Sequence, residues 1–487
     1  MESKRKFSLN LIFLLALNLL VKPFYLFGVE VGVQNEVGAE EYGLYYAMFN
    51  FTFLFNVLLD LGINNFQKIK VAQDESAGIQ NMATLLPMKI MLGAVYMVVT
   101  VLVALIMDFE GRYWFFIGWL MLNHVLSTFL LMLRANLSGL HLFIRDSILS
   151  VTDRLLLIGG VGFALWFGAD AFSIEHFVLF QTGSYSAAII LALIMTPKLG
   201  QWMKFDLNLK AVMNMARQTW PFALLILLMT AYNKLDGIML ERLSDQGTLE
   251  AGIYAQAYRI LDAGNSFAFL YAGLLLPLFA RLLHADRRMD EVRALVDQAA
   301  RFLIAPAGVV FILTFFYGEW IMDLLYDAHA DESAKSLIWL MGSFVFIASG
   351  YVFGTLITAA MDLKWMNRIA LVTVLLNVGL NFWLIPSMGA EGAAMTSFVS
   401  LGFMAVGQII YSMVKYQLNS WNWVIRAGGL WLVTLLAVYG VAKLGFLPLY
   451  ALVITAVVVS VAFFLFVADL KGVRKLLQSR GSDSGQG

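Results

Sequence analysis

Fourteen apolar stretches, each about long enough to cross a bilayer and joined by short loops, leave this chain few options. A helix needs roughly 20 apolar residues to span about 30 Å of hydrocarbon, and lipid offers no partner to an open backbone. The stretches fall at 9–30, 41–65, 83–107, 114–133, 148–168, 176–196, 218–241, 251–280, 295–316, 336–359, 368–386, 392–414, 427–443 and 448–469. Of the 487 residues, 60% are hydrophobic and 14% charged, with mean hydropathy +0.77; soluble chains carry about 25% charged residues. The sequence therefore predicts an all-α polytopic membrane protein of about 14 transmembrane helices.

The net charge of zero hides an asymmetry. With the N-terminus inside, cytoplasmic segments hold 23 Lys and Arg, and the opposite side holds four: Arg112, Arg242, Lys335 and Lys443. That bias obeys the positive-inside rule and places both termini in the cytoplasm. Lys4, Arg5 and Lys6 precede an apolar run, as in a secretory signal, but no small-residue cleavage site follows. We read a retained first span. No cysteine is present, and the five histidines show no ligand spacing, which argues against thiolate catalysis and Cys-ligated metal.

No loop is large enough for a separate domain. The longest, 197–217, is basic and weakly amphipathic, and reads either as an interfacial helix or as an ordinary basic loop. A faint repeat pairs Glu41-Tyr42-Gly43-Leu44-Tyr45 with Glu250-Ala251-Gly252-Ile253-Tyr254, six spans apart. An even offset implies parallel repeats. The expected layout is an N-lobe at 1–196, a basic linker at 197–217, a C-lobe at 218–415, two appended spans at 416–470 and a tail at 471–487.

A charge in hydrocarbon costs several kcal/mol unless paired or hydrated. Lys22 lies eight residues inside Glu30, Lys234 seven inside Glu241, and Arg259 eight inside Ala251. At 1.5 Å per residue these three cations sit roughly 10–12 Å below the outer face. We read them as the anion-binding lining of a cavity, suited to phosphate or diphosphate; snorkelling to the interface and structural pairing with Asp236 or Asp262 are the alternatives. Lys89, Asp60, Asp153, Arg154, Asp297 and Arg301 lie nearer cytoplasmic span ends and read as anchors or local pairs. Asn377 and Asn381 share a helix face, and with Thr396 and Asp236 they offer oxygen ligands for a small hard cation; interhelical hydrogen bonding, common for Asn and Thr in membranes, is the reading that spacing alone favours. Tyr42, Tyr45, Tyr46, Tyr254 and Tyr258 read as an interfacial aromatic belt, with stacking on sugar rings in a cavity as the alternative.

The stretch 19–65, with Asn35-Glu36-Val37-Gly38, the Glu41–Tyr45 motif and Leu59-Asp60-Leu61-Gly62-Ile63, resembles the start of bacterial polysaccharide-biosynthesis flippases of the O-antigen translocase type. Leu376–Asn381, Leu384-Ile385-Pro386 and Gly389–Ala394 resemble the span-eleven-to-twelve signature of the same multidrug/oligosaccharidyl-lipid/polysaccharide exporter superfamily. The resemblance implies a V-shaped, two-lobed, alternating-access transporter and not an enzyme. It implies an undecaprenyl-diphosphate-linked oligosaccharide substrate, the bacterial inner membrane, and glycan polymerase and glycosyltransferases as partners beside the membrane lipids. It also implies diphosphate-binding roles for Lys22 and Arg259, and a sodium site at Asp236, Asn377, Asn381 and Thr396. Asn381 stands where a carboxylate would add charge, so a cation would be held more weakly. No phosphate-cradling G-x-x-x-x-G-K-[ST] loop is present, leaving Na+ or H+ gradients or membrane potential as the driving force, with no cofactor and no nucleic-acid partner. A cation-coupled multidrug antiporter and a membrane-embedded glycan polymerase or ligase are the rival readings.

Overall fold

The computed structural model of the chain describes residues 17, 20–61, 75–140, 142–167, 172–196, 209–284, 289–418, 422–444 and 447–467, without the side chains of 75–84, 209–219 and 284. Lys4–Lys6, most of the 197–217 linker and the 471–487 tail lie outside the described residues. Every regular element among those described is helical. A π-helical segment, Tyr25–Glu30, runs into α1 (Val31–Val37). There follow α2 (Ala39–Leu54), α3 (Glu75–Ile106), α4 (Tyr113–Gly139), α5 (Phe143–Phe167), α6 (Ile174–Met195), α7 (Leu209–Leu243), α8 (Gly247–His284), α9 (Met289–Leu325), α10 (Ala330–Ala359), α11 (Leu363–Tyr416), α12 (Asn422–Lys443) and α13 (Pro448–Phe466).

Eleven of these helices, α3 to α13, are long and apolar enough to cross a membrane. They fall on expected spans three to fourteen, because the 54-residue α11 carries the eleventh and twelfth together. Within it Gly389 breaks the helix at φ 54°, ψ −129°, a left-handed conformation that a side chain would strain. Pro87, Pro221, Pro277, Pro306 and Pro386 sit inside helices, as bilayer-buried helices tolerate. Large apolar side chains such as Ile106, Trp166, Ile194 and Leu465 are exposed. Such surfaces would drive aggregation in water and are at home in acyl chains.

The described chain forms two compact units, each assembled from separated segments. The first holds everything to Arg259, with 325–329 and 370–393; the second holds 260–324, 330–369 and 394–487. In the first, Leu85, Met88, Leu92, Leu130, Leu133, Leu149 and Ile189 interlock α3, α4, α5 and α6. In the second, Ala305, Val309, Ala427, Leu430 and Ala462 let α9, α12 and α13 approach, and the Trp431 indole donates to the Ala305 carbonyl at 2.8 Å. Without a hydrophobic force between helices in lipid, such close packing and interhelical hydrogen bonds carry association.

A close backbone approach in the first unit joins the two copies of the repeated motif. A Cβ added to Gly43 of α2 would overlap the Thr248 carbonyl of α8, and one added to Gly252 of α8 would overlap the Ala39 carbonyl of α2. Each glycine thus meets the carbonyl four residues before its counterpart, a reciprocal small-residue crossing. Gly252→Leu should destabilise the protein by about 3 kcal/mol or more, since neither backbone can yield to the added volume. Gly93→Ala, where nothing outside its own stretch of helix lies within 4 Å of the new Cβ, should not lower the thermal midpoint in detergent, since alanine is the better helix former.

Candidate functional site

Charged and polar groups cluster in the first unit around α2, α7 and the start of α8. Arg259 and Glu30 are both buried, and Arg259 Nε lies 2.6 Å from Glu30 Oε2. Tyr42, wholly buried, accepts a 2.8 Å hydrogen bond from Arg259 Nη2 and donates one of 2.8 Å to Glu30 Oε2. The guanidinium also lies 5.7 Å from the Tyr42 ring centre and 5.6 Å from that of Tyr46. Arg259 is therefore a paired cation with two aromatic faces beside it, an arrangement in which attraction offsets much of the cost of burial. Glu30, a residue that served in the sequence only to mark the outer end of the first span, is thus a partner of Arg259.

Lys234 is seated among rings, its Nζ 5.0 Å from the Tyr258 centre and 5.8 Å from that of Phe53. It acts electrostatically on His124 of α4, whose Nε2 lies 3.1 Å from Thr52 Oγ1 and whose ring packs against Phe49 and Phe53. His124 is thus drawn into the site although the five histidines looked unrelated in the sequence. Lys22, half-buried, feels the charges of Arg154, Arg134 and Asp153. Arg154 in turn feels Glu30, Tyr25 and Tyr185. Lys22 and Arg154 thus lie within electrostatic range of one another, and Arg154 within that of Glu30. Asp297–Arg301 at 2.9 Å and Asp153–Arg154 at 3.5 Å pair locally, as their spacing suggested, while Lys89 pairs at 2.7 Å with Asp60, on a different element.

The tyrosines depart from expectation. Tyr42, Tyr45, Tyr46 and Tyr254 are fully buried and Tyr258 nearly so; an interfacial belt would face headgroups. The hydroxyls of Tyr42, Tyr45, Tyr254 and Tyr258 find polar partners there. Tyr45, for example, accepts from Gln181 Nε2 at 2.8 Å, while Tyr46 and Tyr258 supply faces to the cations.

Asp236 of α7 is buried. Its Oδ1 accepts from Asn377 Nδ2 at 3.1 Å and Asn381 Nδ2 at 2.8 Å, and its Oδ2 from the Tyr254 hydroxyl at 3.0 Å. The structure thus unites three of the four candidate cation ligands. Thr396 is fully buried in the second unit. Asn381 Oδ1 is a buried oxygen without a hydrogen-bond partner, and an orphaned acceptor beside a carboxylate suits a hard cation. Asn381→Leu, which takes a donor from buried Asp236, should cost about 1–3 kcal/mol, read as a lower unfolding midpoint in detergent.

Residues 9–283 match the profile of a family described as polysaccharide biosynthesis protein. The "Capsular polysaccharide biosynthesis protein CapF" of Staphylococcus aureus is 31% identical over 163 residues, 34% of this chain; the match spans only 40% of that relative's length. Among solved structures, "Lipid II flippase MurJ, inward closed conformation" superposes with TM-score 0.69 at 12% identity, over 92% of this chain and 98% of that one. An inward-facing "multidrug resistance MATE family transporter of the MOP superfamily" gives 0.65 at 14% identity, over 80% and 94%. At such identities the likeness is one of fold.

Proposed function

The chain belongs to the polysaccharide biosynthesis protein family, and from that membership we propose that it is a flippase of the bacterial inner membrane. Its substrate is an undecaprenyl-diphosphate-linked oligosaccharide, carried from the cytoplasmic to the periplasmic leaflet for a surface polysaccharide. The problem such a protein solves is physical: a glycan and a diphosphate cannot enter hydrocarbon without losing their hydration. The observation that carries the reading is the set of cations at membrane depth, Arg259, Lys234 and Lys22, each set among aromatic rings or other charges. In this reading Arg259 and Lys22 meet the diphosphate, Lys234 the proximal sugars or second phosphate, and the polyprenyl tail stays in lipid. Two six-span lobes, spans 1–6 and 7–12, alternate their access around this lining, with spans 13–14 appended and both termini in the cytoplasm.

Sodium or proton movement supplies the drive, the ion held by Asp236, Asn377 and Asn381 and, in the same reading, Thr396. Membrane potential contributes about 2.3 kcal/mol per charge per 100 mV. If sodium is the ion, it should raise the unfolding midpoint of the wild-type protein and leave Asp236→Asn unmoved. Sodium-indifferent stability of the wild type would turn the assignment to protons.

Arg259→Ala should abolish glycan export, yet it also strands Glu30 in the interior at a cost of about 3–5 kcal/mol. The paired variant Glu30→Gln/Arg259→Gln separates the two effects. Removing both charges should restore most of the stability, while export measured at matched protein level stays lost. Export equal to wild type in the paired variant and in Lys22→Ala would remove both residues from the transport path. Selective binding of cationic dyes over lipid diphosphates by the purified protein would favour a drug antiporter, and glycan elongation by it would favour a polymerase or ligase.

A further inference from the structure

We propose that Glu30 is a built-in competitor for the substrate's diphosphate, a charge threshold that lets Arg259 accept polyanionic lipid headgroups and refuse monoanionic ones. The inference deepens the flippase reading and rests on it.

A cation that serves lipid-borne substrates is bathed in anionic phospholipid, whose headgroups carry one net negative charge where zwitterionic ones carry none. A bare guanidinium would be occupied by them continuously, because Arg pairs well with any phosphate. Arg259 is not bare. Glu30 Oε2 lies 2.6 Å from its Nε, and the Tyr42 hydroxyl bridges the pair at 2.8 Å to each side. The site is thus filled by an anion of its own, tethered at high effective concentration.

Replacing Glu30 by a phosphodiester exchanges one negative charge for another and strands a buried carboxylate. That exchange is unfavourable. A diphosphate brings additional charge and more acceptor oxygens to the same guanidinium, and reaches the Tyr42 hydroxyl as well. That extra attraction is set against the same cost of displacing Glu30. The backbone supplies the movement. Glu30 is the last residue of the π-helical segment Tyr25–Glu30, whose extra residue per turn is slack. Passing that slack along the helix rotates Glu30 away from Arg259 without unfolding the span.

The test is farnesyl diphosphate binding to the full-length protein in nanodiscs of phosphatidylcholine, with and without phosphatidylglycerol. In phosphatidylcholine, Glu30→Gln should bind about tenfold more tightly than wild type. Phosphatidylglycerol should erase most of that gain while leaving the wild-type affinity where it was. Glu30→Asp, which keeps the charge and shortens the reach, should show a smaller gain in the same assay and serves if Glu30→Gln does not fold. Unchanged or weaker binding by both variants, with Arg259→Gln still abolishing it, removes Glu30's role and leaves the flippase reading standing. Equal sensitivity of wild type and variants to phosphatidylglycerol likewise overturns the threshold. Failure of wild type and variants alike to bind farnesyl diphosphate overturns the flippase reading and this inference together.

Discussion

An ionised group in hydrocarbon must have a partner, and the interior of the first unit is organised around that requirement. Arg259 answers to Glu30 and Tyr42, Asp236 to two amides and a phenol, and Lys234 to two aromatic faces. Each solution draws residues from different helices. The charges therefore act as interhelical ties as well as candidate ligands, and in lipid such ties matter because apolar contact alone gives helices no preference for one another over acyl chains. A site built this way is costly to disturb, so its members are held in place by stability as much as by function.

The same requirement explains what could be read in advance. The helices were legible because the bilayer imposes a minimum apolar length, and α3 to α13 lie where hydropathy put them. The break at Gly389 fell between two expected spans. The grouping of Asp236, Asn377 and Asn381 was visible in part, since a four-residue spacing puts both amides on one face and the family resemblance pointed to α7. Local pairs such as Asp297–Arg301 followed from spacing alone.

What stayed hidden depends on which way a side chain faces. Glu30 and Arg259 lie on different helices far apart in the chain, and nothing in either segment names the other. A carboxylate ending a first span reads as an ordinary boundary residue. The tyrosines pose a similar problem: a Tyr one turn inside a span end belongs equally to a lipid-facing belt or to a packed interior. Their burial and their contacts with Arg259 and Lys234 decide it. His124 was passed over because the sequence shows no companion for it, while its companions Thr52 and Lys234 come from other helices.

The reciprocal contact of Gly43 and Gly252 turns a faint sequence repeat into a mechanical part. Most helix pairs are locked by side-chain ridges set into grooves, so turning one against the other means lifting teeth out of their slots. Here two backbones meet directly, and two turns further along α8 Arg259 grips Tyr42 and Tyr46 of α2. The two helices are thus pinned twice along their length, and whatever displaces one must carry the other with it.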